Sequence, residues 1–136
     1  MNTWVYFLVA FLVLDFLIVL YVVFKRRKTS GFAVQDLHYI LNQWGRIEGS
    51  VNSDPKHAIL DADKILDYAL KKKGYQGSVA DKLKVAAPLF SDLNGLWSAH
   101  KLRNRIAHEI IEISTGEANS ALRSFKRALV DLGVKF

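Results

Sequence analysis

Between Leu96 and Ile113 the chain reads LWSAHKLRNRIAHEIIEI. Within it Arg103, Asn104 and His108 are the residue types that metal-free acid/base chemistry on a phosphodiester needs. RNA carries its own nucleophile in the 2′-hydroxyl, so its cleavage takes a base for that proton, a cation on the phosphorane and an acid for the departing 5′-oxygen. Imidazole exchanges a proton near neutral pH, and guanidinium is a permanent, forked ligand for phosphate oxygens. Lys101, Arg105 and His100 stand close by as further groups for a polyanionic substrate.

At 100° per residue, Leu96, Ala99, Leu102, Ile106, Ile110 and Ile113 fall within about 120° of arc, the apolar stripe of an amphipathic helix. That face is expected to pack inward. Trp97, Lys101, Asn104 and His108 form a second stripe, with His100 at its edge, which the core does not need. Arg103 lies about 140° from His108 on an ideal helix, so one straight helix does not aim both at the same atom. Convergence requires a local distortion, the reach of Arg, or a second copy of the helix.

This pattern resembles the R-x4-6-H signature of HEPN domains (higher eukaryotes and prokaryotes nucleotide-binding): Arg103, the polar Asn104, three more residues, then His108, with Trp97 ahead and Ala107 just before the His. The resemblance covers roughly residues 34–136. It implies an all-helical bundle that pairs with a second copy so that two motifs face each other. Many such domains are metal-independent RNases, some of them toxins or antiviral effectors, and others only bind. If this one cleaves RNA, the resemblance makes the two copies of His108 base and acid, Arg103 the phosphate ligand, and Asn104 the group that orients an imidazole. The toxin subgroup whose motif continues His-x-Tyr has Tyr where this chain has Ile110, so an antitoxin that modifies such a Tyr is not implied. The alternative is a non-catalytic nucleotide- or protein-binding module in which the motif is a polar network that fixes helix packing, with Arg103 paired to an Asp earlier in the chain.

The elements that must position these residues are helical. Trp4 to Phe24 contains a single charge, Asp15. At 1.5 Å per residue it is long enough to cross a hydrocarbon core of about 30 Å. Cations follow this run instead of preceding it, and no small-residue cleavage site ends it, so it reads as a retained transmembrane helix and not as a signal peptide. Lys25, Arg26, Arg27 and Lys28 come directly after it, which by the positive-inside rule puts residues 1–3 outside and the rest in the cytoplasm, at the plasma (inner) membrane. Asp15 is expected in the membrane interior, either in contact with the same helix of a second copy or simply neutralised there.

Residues 25–33 read as a basic linker, and residues 34–136 as a domain of four to five helices. Val34, Leu37, Ile40, Leu41, Trp44 and Ile47 space a first helix to about Glu48, with Trp44 in the core. Asp54 or Ser53 before Pro55 starts a second, which Gly74 closes near Lys73. Asp61, Asp63 and Asp67 are expected on its outer face as solvated ion pairs, one of them available to hold Arg103. Ser78 with Asp81, and Ser114 with Glu117, spell capping boxes. Pro88 breaks the helix between them, and Gly133 closes the last.

The chain has no Cys, which removes disulfides, thiolate metal sites and thiol nucleophiles together. His108 and Glu109 begin a zinc-helix spelling, but Glu112 stands where the second His belongs, so no metal or other cofactor is expected. Of the net charge of +6, most comes from the cluster at residues 25–28, which points to a membrane surface more than to nucleic acid. Expected partners are therefore the membrane, a second copy, and either RNA or a nucleotide or an unspecified protein.

Overall fold

The computed structural model describes residues 2–29 and 31–136, all helix and connection among those residues. The contacts divide the chain into two units, Met1–Ser30 and Gly31–Phe136. The first is α1, Thr3–Thr29, whose side chains from Thr3 to Lys25 are exposed throughout and which is long and apolar enough to cross a membrane. Asp15 is exposed on it. Of the expected basic cluster, the side chains of Arg26, Arg27 and Lys28 lie outside the described residues, as do Met1 and Ser30.

The second unit holds α2 (Val34–Ser50), α3 (Pro55–Lys72), α4 (Val79–Ala86) with a 3₁₀ turn at Ala87–Leu89, α5 (Leu93–His108) and α6 (Thr115–Asp131). Central to it is α3, which packs against α2, α5 and α6, while α5 also packs on α6. Three alanines on its inward faces, Ala58, Ala62 and Ala69, all buried to 1% exposure or less, let neighbouring backbones approach closely. Around it Ile40, Trp44, Ile59, Leu66, Leu70, Leu96, Phe125 and Leu129 complete one core. Burying each such large side chain stabilises by about 1.5–3 kcal/mol.

The helix α3 runs antiparallel to α2 and α5 and parallel to α6, and α5 runs antiparallel to α6. Tyr68 donates to Asp36 at 2.7 Å, tying the end of α3 to the start of α2. Ser91, before α5, donates to Asp131 at the end of α6. One end of the bundle thus carries the start of α2, the end of α3, the start of α5 and the end of α6. The other carries the α5–α6 loop, joined to the start of α3 by Lys56–Glu112 at 3.2 Å.

Most helix ends follow their sequence signals. Asp54 accepts from the His57 amide with Pro55 in the first turn, and both capping boxes form. Gly74 (φ +90°) and Gly133 (φ +106°) take the left-handed conformation that lets Tyr75 and Val134 bond back to Leu70 and Leu129. The exception is α5. It ends at His108, with Glu109 already extended (φ −125°, ψ 154°), so the expected helix through Ile113 is five residues too long. Ile110 and Ile113 keep the apolar period, but with Ile111 they form a β-branched run that favours extended backbone. Ile110 is consequently fully exposed and not inward, whereas Ile113 does pack against the core.

One carboxylate expected to be solvated is buried. Asp63 is 1% exposed, because it is in phase with Ile59, Leu66 and Leu70. Asp61 and Asp67 do keep the expected surface pairs, with Lys64 at 3.3 Å and Lys71 at 2.9 Å. Lys82 on α4 is also 1% exposed and pairs with Asp67. Burial raises the Asp67 carboxyl, but hydrogen bonds from Lys82 and Lys71 outweigh it, and the net direction is down.

Asp36, Glu48, Asp81 and Glu117 are likewise lowered, chiefly by hydrogen bonds from Tyr68, Lys126, Ser78 and Ser114 respectively. Depressed folded-state carboxyls contribute stability that is present above the unfolded values, about 4, and is lost as pH falls through the folded ones. Thermal melts followed by circular dichroism should therefore hold their midpoint down to about pH 5 and fall steadily below about pH 4. A midpoint that stays level to about pH 3 would mean these carboxylates contribute nothing.

Candidate functional site

Three of the residues singled out by spacing meet on the face that α5 turns to α3. Asp63 Oδ1 lies 2.8 Å from His100 Nδ1, and Asp63 Oδ2 lies 3.2 Å from Arg103 Nε. Arg103 Nη1 donates to Asn104 Oδ1 at 3.0 Å. Asn104 Nδ2 is 3.3 Å from His100 Nε2. The four side chains close a ring.

Hydrogen-bond bookkeeping fixes the proton positions in that ring. Asn104 must present Oδ1 to Arg103, so its amide nitrogen faces His100, whose Nε2 can only accept; Nδ1 then carries the hydrogen given to Asp63. Arg103 Nε is buried and within ion-pairing distance of Asp63, yet its N–H is not aligned on the carboxylate. The contact is an electrostatic pair without a formed hydrogen bond, and Nη2 is left as the guanidinium nitrogen with no protein partner among the described residues. The imidazole of His100 also meets the Trp97 ring edge-on, centroids 6.0 Å apart.

His100 is only 6% exposed. Expected among the substrate contacts, it is instead placed to hold Asn104 and to share Asp63 with Arg103. Arg103 itself is about a quarter exposed at its side chain. Lys101 and Arg105 are exposed, and Arg105 reaches Glu109 at 3.5 Å. His108 stands exposed on the last residue of α5. The structure therefore brings Arg103 and Asn104 together and leaves His108 outside the ring, one turn beyond Asn104 on the same stripe and about 140° around the helix from Arg103. Because α5 stops there, Glu109 to Glu112 lack the helical spacing that a zinc-helix motif requires.

Comparison with protein-family models, with curated proteins and with solved structures returns no match to this chain.

Asp63 is the residue that spacing alone passed over as solvated. Its phase with Ile59 and Leu66 is the signal that locates it inside. A buried carboxylate between an imidazole and a guanidinium stabilises a fold little more than well-packed apolar residues would. What it does achieve is orientation. It fixes which edge of Arg103 and which end of the Asn104 amide face outward.

Proposed function

We propose that the chain is a membrane-anchored HEPN-like protein that cleaves RNA without a metal, at a site completed by a second copy. The observation that carries this reading is the Asp63–His100–Asn104–Arg103 ring, which fixes a guanidinium at the surface of α5. Departures from apolar packing of this kind concentrate at functional sites. In this reading α1 spans the membrane, with residues 31–136 on its cytoplasmic side. Arg103 offers Nη2 to the scissile phosphate. His108 stands exposed at the end of α5, and the two copies of it act as base and acid. Lys101 and Arg105 contact flanking phosphates, and two copies of Asp15 meet in the bilayer and support pairing.

The second reading is a non-catalytic, membrane-tethered binding module. It is favoured by one feature of the same ring: Asn104 and two of the three guanidinium nitrogens are already occupied by the protein's own side chains. The two readings separate when the full chain in detergent micelles is given single-stranded and structured RNA in EDTA. Cleavage to 2′,3′-cyclic phosphate ends, absent on 2′-O-methyl RNA, is the expected result. A folded, dimeric chain that cuts neither substrate is a binding module.

Pairing through this end also bears on Ile110, wholly exposed two residues beyond His108. Ile110→Asp is expected to weaken self-association in analytical ultracentrifugation at least about tenfold, as a desolvated charge at an interface does, with no fall in melting temperature. Unchanged association places the pairing surface elsewhere.

A further inference from the structure

At the opposite end of the bundle from His108, the last two turns of α6 and the tail behind it form an open groove of about 610 Å³. Arg123, Lys126, Arg127 and Lys135 line it with Val130 and Phe136. Val130 and Phe136 are 51% and 48% exposed. Spacing puts Arg123, Arg127 and Val130 on one outward face of α6. Two carboxylates answer this charge in part: Glu48 lies 2.9 Å from Lys126, and Asp92 is at the 4.0 Å limit from Arg127. Arg123 and Lys135 have no acidic partner among the described residues, and the face keeps an excess of cations around exposed apolar side chains.

Where this face lies in the chain decides what it meets. Gly133, just after α6, is close to Lys73, whose ammonium sits 4.4 Å from the centre of the Phe32 ring. Phe32 is where the chain joins the bundle, and only six residues separate it from Lys25, the last residue of the apolar span. Whatever angle the two units take, that short tether keeps this end of the bundle near the bilayer and gives the face a high effective concentration there. Cations beside exposed aliphatic and aromatic groups suit an anionic lipid surface, where headgroups attract the charges and the interface accepts the apolar tips.

We infer that the Arg123–Phe136 face docks on an anionic lipid bilayer, holding the bundle down and leaving the His108 end turned away from the membrane. This rests on α1 spanning the bilayer. It does not depend on the RNase reading.

The chain has no Cys, so Val130→Cys gives a single site for an environment-sensitive fluorophore. The labelled full chain is reconstituted into phosphatidylcholine vesicles, with and without about one-third phosphatidylserine. Flotation and resistance to carbonate extraction report separately on whether α1 is inserted. The expected result is a blue-shifted emission, quenched by brominated lipid, in anionic vesicles only and removed by high salt. Arg123→Glu, Arg127→Glu and Lys135→Glu together should abolish the shift, each cation being worth roughly fivefold in partitioning, with the melting temperature unchanged. Inserted chain with the same emission in neutral and anionic vesicles overturns the inference, as does a shift that survives the three reversals. So does a shift that needs added oligoribonucleotide, or one that follows protein density in neutral vesicles, which would assign the face to RNA or to a second copy. Chain extracted by carbonate instead overturns the anchor on which the inference rests.

Discussion

His108→Ala is expected to lower RNA cleavage at least about 100-fold, the usual scale of losing a general acid or base, while the melting temperature stays within error of wild type. The second half follows from exposure. The side chain is at the surface on the last residue of α5, and substitutions of that kind usually move stability by less than about 0.5 kcal/mol. His100→Ala gives the opposite pattern. It empties a buried position and strands Asp63, so stability falls, and any loss of cleavage comes with it. Cleavage rates and thermal melts of both variants, measured side by side, check the assignment. If His108→Ala cuts as fast as wild type, the proton transfers belong to another group.

The largest effect on stability is expected at Asp63. Removing it leaves Arg103 and His100, side by side on α5, without their shared carboxylate on α3, and breaking one partner out of a buried pair costs about 3–5 kcal/mol. For a unit of roughly this size, 1 kcal/mol moves the melting temperature by about 4–8 °C, so Asp63→Ala should melt more than about 12 °C below wild type. Asp61→Ala, two residues away with surface pairs only, to Lys64 and His57, should cost less than about 1 kcal/mol. The contrast separates a buried network from a string of acidic residues. Near-equal melting of the two variants would mean that the ring does not hold α5 on α3.

Asp63 also marks what could be read from the residues before the fold was known. The helices, both capping boxes, the glycine stops at Gly74 and Gly133 and the burial of Trp44 all follow from local chemistry: periodicity, an oxygen positioned over free amides, a residue tolerant of positive φ. The pairing of Arg103 with an Asp on the preceding long helix was legible as one of three candidates. Choosing Asp63 among them needed its phase weighed above its charge. The end of α5 was not legible. Ile110 and Ile113 satisfy the helical period, no Gly or Pro interrupts them, and the chain leaves the helix because a β-branched run tolerates extension and α6 must fold back along α5. The division of labour between the two histidines was hidden for a related reason. Both lie on one stripe in sequence, and only the packing of α3 against the middle of α5 buries His100 and leaves His108 free.

The most direct measurement of the two-copy site dilutes wild type with His108→Ala. Wild-type and variant chains are denatured together, co-refolded at a fixed total concentration and varied ratio, reconstituted in micelles, and assayed on RNA in EDTA. If the two copies of His108 serve one reaction as base and acid, mixed dimers are inactive and the rate follows the square of the wild-type fraction. A rate that falls in simple proportion to that fraction would contradict the shared site and make each copy a complete catalyst.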